Sequence, residues 1–220
     1  MEATAATEWS YGDSWERYPV QTGEIWTERK TGSTVSVHDL FGGIPAYMQV
    51  ADLVYVDPPW NTGNLRAFYT KAGLALGGTF RSFLEALFDG IQCINSPVCY
   101  LEIGKQNLNT AINCLKLLYP VTQYWAVTYY RRNPSYLIRG GQEPTAIDFT
   151  GADDADTPRL AMRAESFSCV ADLCMGRGLT ATTAFALNKQ FVGTELNPRR
   201  LAVTIDRVAQ MGGEWCITPR

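Results

Sequence analysis

The chain has 220 residues, 46% of them hydrophobic, which is enough to bury one good core and cramped for two independent domains. A formal net charge of −3 and a pI ≈ 5.3 speak against a protein that holds duplex nucleic acid by bulk charge, because phosphate contacts dominate affinity in such binders; any contact of that kind must come from local patches. A single histidine, His38, and six cysteines without a C-x-x-C pair write neither a metal site nor a disulfide framework, so the chemistry is left to carboxylates, backbone groups, aromatics and a cofactor.

No run of 18 apolar residues occurs, and Met1 to Trp15 is polar, acidic and aromatic rather than basic and then apolar. The expectation is a cytoplasmic protein with no membrane partner. Residues 1–30 carry Trp9, Tyr11, Trp15, Tyr18 and Trp26 without helical or strand periodicity and read as an N-terminal arm or irregular cap. After the turn residues Thr31-Gly32-Ser33, Thr34 to Asp39 alternates β-branched and polar residues as a strand does, and LVYV between Asp52 and Asp57 reads as a buried one. From Thr79 to Ile94 the apolar residues recur every three or four positions, the spacing of an amphipathic helix that stops before Pro97. A strand over Val98 to Ile103, a helix over Gln106 to Leu118 and a strand over Thr122 to Tyr130 follow. Arg131 to Asp156 breaks the rhythm with Pro, Gly and Asp. Ser166 to Asp172 is a strand, Leu179 to Leu187 a helix and Phe191 to Glu195 a strand, and Pro198 opens a closing helix through Gln210. Strand and helix alternate, which predicts an α/β sheet.

Strand LVYV runs straight into Asp57-Pro58-Pro59-Trp60. Two prolines fix φ and cannot continue a ladder, so the backbone leaves the sheet stiffly at its carboxyl end, where α/β proteins bind ligands. Such a turn can aim the Asp57 carboxylate and the Pro58 carbonyl at one amino group bearing two hydrogens, while Trp60 offers a flat surface to a planar base. Hydrogen bonds to both protons leave the nitrogen lone pair available for attack. The bland alternative is a tight turn with a packed tryptophan.

The second pattern is Val170-Ala171-Asp172-Leu173-Cys174-Met175-Gly176-Arg177-Gly178, a strand and a G-x-G turn before a helix, followed seventeen positions later by Glu195 at the end of the next strand. Glycines let a backbone approach a bulky ligand, and a terminal carboxylate can take both hydroxyls of a ribose. Two glycines suit an adenosyl group without phosphates better than a dinucleotide.

ADLVYVDPPWNTGN resembles the catalytic motif of S-adenosylmethionine-dependent DNA amino-methyltransferases, and VADLCMGRGLTATTAFALNKQFVGTELNPRRLAVTIDRV resembles their cofactor motif. The catalytic motif comes first, which is the permuted order of the beta class, and D-P-P-W resembles the adenine-N6 type. The resemblance implies a Rossmann-like methyltransferase fold, with a mostly parallel seven-stranded mixed sheet and helices on both faces, over residues 31–220. It implies Asp57, Pro58, Pro59 and Trp60 as catalytic residues, and a cofactor, S-adenosylmethionine, held by Asp39, Asp57, Asp172, Cys174, Met175, Gly176, Gly178, Glu195 and Asn197. For Asp39 a turn cap is the competing role. Two departures stand out: the family's Asp-Pro-Phe is here Asp172-Leu173-Cys174, and Arg177 replaces a small residue. A target-recognition insertion has only residues 131–165 to occupy.

Tyr129 to Arg139 interleaves arginines with tyrosines, so Arg131, Arg132, Tyr136 and Arg139 are expected to contact nucleic acid, with Arg66 and Lys71 on the same rim. A hairpin with a solvated arginine face competes with that reading. The expected activity is site-specific adenine-N6 methylation of DNA by a phage or prokaryotic enzyme, with a homodimer as the favoured assembly. Cytosine-N4 transfer, adenine-N6 transfer to RNA and a non-catalytic binding subunit are the alternatives; a glutamine methyltransferase is disfavoured because its turn usually begins with Asn.

Overall fold

The computed structural model describes residues 11–218; residues 1–10 of the expected arm, including Trp9, lie outside the described residues. Nothing in 11–30 stands off the domain. Helix α1 (Ser14–Arg17) packs on the far end of the chain, where the Ser14 hydroxyl and the Arg17 guanidinium donate to Asp206 at 2.8 and 2.5 Å. Strand β1 (Ile25–Glu28) then joins the sheet beside β2 (Thr34–Val37).

The remaining elements follow in alternation. Strand β3 (Leu53–Val56) is buried at all four positions, as its unbroken apolar run requires of a central strand. Helix α2 (Thr62–Ala72) is capped by the Asn61 side chain and stopped by left-handed Gly73. It was not foreseen, because it buries only Leu65 and Tyr69 and so carries no clear apolar stripe. Helix α3 (Phe80–Ile94) opens on a Thr79/Ser82 capping box and buries the predicted stripe, including Phe83, Leu87 and Ile91. Next come β4 (Val98–Ile103), α4 (Leu108–Leu118), β5 (Val121–Tyr129), β6 (Asn133–Gly141) and α5 (Thr157–Ala164). The chain closes with β7 (Cys169–Asp172), α6 (Leu179–Ala186), β8 (Gln190–Glu195), α7 (Pro198–Gln210) and β9 (Trp215–Ile217).

The strands form one sheet in the order β5-β6-β4-β3-β7-β8-β2-β1-β9. It has nine strands rather than seven, and it is not mostly parallel: the four central pairings from β4 to β2 are parallel and the four outer ones antiparallel. The difference has a physical source. The segment expected to be an insertion turns back as β6 between β4 and β5, and β1 and β9 lengthen the opposite edge. Helices α2, α3 and α4 cover one face over a core of Val54, Val56, Cys99 and Leu101; α5, α6 and α7 cover the other over Tyr55, Tyr100, Val170 and Phe191. No helix among the described residues is long and apolar enough to cross a membrane.

Candidate active site

Side chains alternate across a strand, so the register fixes which residues share a face. Tyr55 lies opposite Tyr100 in the β3–β4 ladder, and their rings stack at 6.4 Å. Two residues further on, at the carboxyl ends, the same face receives Asp57 and Glu102. By the same count Asp172 ends β7 and Glu195 ends β8 on that face, in line with Val170 and Phe191. Four parallel neighbours thus each bring a carboxyl to one edge of the sheet. All four border a single cavity of about 840 Å³, together with Pro58, Pro59, Trp60, Cys174, Met175, Gly176 and Asp39. The proline turn and the glycine turn, more than a hundred residues apart in sequence, open into the same space.

In the proline turn the Trp60 indole N–H donates to Asp57 Oδ1 at 3.0 Å, and Asn107 donates to the Trp60 carbonyl at 2.7 Å. The Trp60 ring meets Tyr129 edge-on at 4.7 Å, and Tyr129 contacts Tyr130 at 4.4 Å, so three aromatic rings run from the cavity to its rim. Burial and the nearby Glu102 push the Asp57 carboxyl well above the usual range, against the indole bond that favours its charged form.

In the glycine turn Glu195 holds the loop to β8. Its Oε2 accepts the Gly176 N–H at 2.7 Å and its Oε1 the Asn197 N–H at 2.9 Å. Asp172 Oδ1 accepts the Cys174 N–H at 2.9 Å. Burial raises both acids, Asp172 to about 7 with the Thr180 hydroxyl pulling the other way, and Glu195 against the opposing charge of Arg200. Gly178 (φ +76°) and Asn197 stand behind the cavity rather than on its wall. A Cβ on Gly178 would lie 2.5 Å from Thr204 of α7. Asn197 caps α7 by accepting from the Arg199 N–H and donates to the Lys71 carbonyl, tying α7 to the end of α2.

Asp39 takes the competing role, capping the turn at Leu40–Gly42 by accepting from the Phe41 N–H; it also accepts from the Tyr69 hydroxyl at 2.6 Å and borders the cavity. Of the expected nucleic-acid contacts, Arg131 is exposed on the cavity rim, and Arg132 and Arg66 are exposed nearby in sequence but off its wall. Lys71 is half-buried with its ammonium 5.6 Å from the Phe68 ring, and Tyr136 is half-buried. Arg139 is not a surface contact: only 5% exposed, it donates to Glu165 at 2.8 Å and to the Glu143 carbonyl at 2.7 Å. Its position on β6 points it inward beside Tyr100, where a buried guanidinium needs those partners.

Glu102, Arg200, Phe68, Asp153 and Asp154 border the cavity without having been singled out from the sequence. Glu102 alone had a legible signal, a carboxyl inside the otherwise apolar VCYLEI. Among the described residues no group of three or more His, Cys, Asp or Glu is arranged to hold a metal ion.

No family model and no curated protein matches the sequence. Solved structures do. The M1.HpyAVI–SAM complex superposes with a TM-score of 0.55 at 12% identity, covering 79% of this chain and 98% of that one. TTHA0409 of Thermus thermophilus, described as a DNA modification methylase and solved with S-adenosyl-L-methionine, gives 0.55 at 17%, covering 80% and 93%. PvuII DNA methyltransferase, cytosine-N4-specific, gives 0.55 at 11%, covering 85% and 90%. The chain therefore has the α/β fold that these three proteins share.

Proposed function

We propose that this chain transfers a methyl group from S-adenosylmethionine to the exocyclic amino group of a DNA base, adenine N6 by first choice. The observation that carries the reading is the meeting of the Asp57 turn and the Gly176 turn in one cavity. The residues present fit the cofactor. Its sulfonium and ammonium are cationic, and the glycine-turn half of the cavity offers Asp172 and Glu195, whose burial outweighs their present partners and would be offset further by a bound cation. Gly176, at φ +57°, brings the backbone to the wall without a side chain, and the two-glycine turn suits an adenosyl group. Once bound, the cofactor supplies an electrophilic methyl group. We assign to it Asp39, Asp57, Asp172, Cys174, Met175, Gly176 and Glu195 as wall residues, with Gly178 and Asn197 supporting the turn from behind.

The other half of the cavity suits a flipped base. The Asp57 carboxylate and the Pro58 carbonyl accept the two amino protons, which keeps the nitrogen lone pair available, and Trp60 lies against the ring. The elevated proton affinity of Asp57 suits it to take the proton that the amine sheds as its new N–C bond forms. Arg131 at the β5–β6 tip, with Arg132 and Arg66 on the outer surface, provides local positive charge that an acidic chain otherwise lacks.

Cytosine N4 is the second reading, because the same two acceptors serve it and the cytosine-N4-specific PvuII enzyme has the same fold. The deciding experiment is nucleoside digestion and mass analysis of DNA from cells expressing the chain, beside an Asp57→Ala control. N6-methyladenine, absent from the control, is the expected product; N4-methylcytosine would move the choice of base, and no methylated base in DNA would defeat the reading.

A further inference from the structure

One carboxyl of the cavity wall has no part in the reaction as described. The register pairs Val56 with Leu101, so Glu102 stands across from Asp57 on the same face. Glu102 Oε1 accepts hydrogen bonds from the hydroxyls of Tyr55 and Thr157, which fixes the side chain. Oε2 has no hydrogen-bond partner, although the residue is only 1% exposed. A buried carboxylate oxygen left unpaired is costly, and the neutral acid is the cheaper form. Burial accordingly pushes Glu102 up to about 7; its two hydroxyl partners lower it, and Asp154 and Asp153 raise it again. Tyr55 and Asp57 face it from β3, and Asp153, Asp154 and Thr157 from the start of α5. No cation is among these. The two hydroxyls also meet each other at 2.7 Å, so the contacts crowd on Oε1 and Oε2 is the oxygen left for a new partner.

We propose that Glu102 is a specificity-determining residue that donates a hydrogen bond from Oε2 to the ring nitrogen beside the target amino group, while Asp57 accepts from the amine. The inference rests on the methyltransferase reading above and deepens it. Adenine (N6–H beside N1) and cytosine (N4–H beside N3) both present a donor next to an acceptor, and an accepting carboxyl oxygen of Asp57 next to a donating carboxyl of Glu102 is the complement. Thymine, and guanine along its O6–N1 edge, present a carbonyl beside a ring N–H, which would set acceptor against acceptor and donor against donor. Asp57 thus recognises the amine and Glu102 its neighbour, so the pair reads an amidine edge.

The test is tritium transfer from labelled S-adenosylmethionine to DNA from a methylation-deficient strain, with KM for DNA and kcat followed from about pH 6 to about pH 8.5, for wild type, Glu102→Gln and Glu102→Ala. In wild type the KM should rise about tenfold over that range as the donor ionises. Glu102→Gln keeps a neutral donor, so its KM should stay within about threefold of the low-pH wild-type value and be flat with pH. Glu102→Ala should raise KM at low pH about tenfold or more. A wild-type KM as flat as that of the Gln variant overturns the proposal, whether or not the Ala variant folds. So does a Gln variant as impaired as Ala. Methyl transfer that proceeds unchanged in both variants removes Glu102 and leaves the methyltransferase reading intact, whereas no transfer to DNA by wild type removes both.

Discussion

Gly178 offers a sharp test of how the glycine turn is held. It opens α6 at φ +76°, and a Cβ there would sit 2.5 Å from Thr204 Cγ2, 2.7 Å from its Oγ1 and 2.9 Å from its Cβ. In Gly178→Ala the left-handed backbone costs about 1 kcal/mol. Overpacking against a buried residue of α7 adds about 1–3 kcal/mol, since Thr204 is fully enclosed and cannot swing away. A loss of about 2–4 kcal/mol lowers the melting temperature of a domain this size by about 5–15 °C. Calorimetric or circular-dichroism melts measure it. Adding Thr204→Ala removes the two nearest clashing atoms but neither the third nor the backbone strain. The double variant should therefore melt above the value that the two single losses add up to. A Gly178→Ala protein melting within about 1 °C of wild type, or strictly additive losses, would refute this account of α6–α7 packing.

Two further predictions follow from buried charge. Arg139→Met leaves Glu165 without its cation in a site where the two side chains are 6% and 13% exposed, and should cost about 3–5 kcal/mol in urea unfolding. Its folded fraction should bind DNA with an unaltered salt dependence, whereas Arg131→Ala should reduce the slope by about one unit. The second concerns pH. Burial holds Asp172 neutral up to about 7 in the fold, while an unfolded aspartate ionises near its ordinary value. The stability it contributes is full below about pH 4 and is lost as pH rises through about 7. Melting temperature of the ligand-free protein should fall over that window, and Asp172→Asn should flatten the fall; an identical pH profile in the variant would show that Asp172 is not buried as described.

The centre of the molecule was legible in the sequence and its margins were not. LVYV is a continuous apolar run and VCYLEI is broken only by Glu102, because a strand buried on both faces has no polar side to confuse the pattern. The motifs at their ends converge because parallel strands present their carboxyl ends together. β6 was read as irregular since its Pro134, Arg139 and paired glycines look like loop residues, yet Arg139 is neutralised by Glu165, and Gly140 and Gly141 leave room for the Tyr119 ring and the Arg139 guanidinium. β9 is a short edge strand whose only partner, β1, lies nearly two hundred residues earlier, a long-range fact that no local window contains. At the site, residue type alone suggests exposure for Arg139, which its partners reverse, and Asn197, expected to hold the cofactor, has its side chain on the α7 cap and the Lys71 carbonyl.

The order of strands has a consequence for how the chain is made. β3 pairs on one side with β4, some forty residues downstream, and on the other with β7, more than a hundred residues later. As the chain leaves the ribosome, the most apolar strand of the protein waits with one ladder edge unfilled until most of the sequence has been synthesised. Exposed strand edges recruit other chains. Ribosomes stalled between residues 145 and 165 should accordingly display aggregation-prone nascent chains that chaperones bind, and release past the end of β8 should abolish that binding.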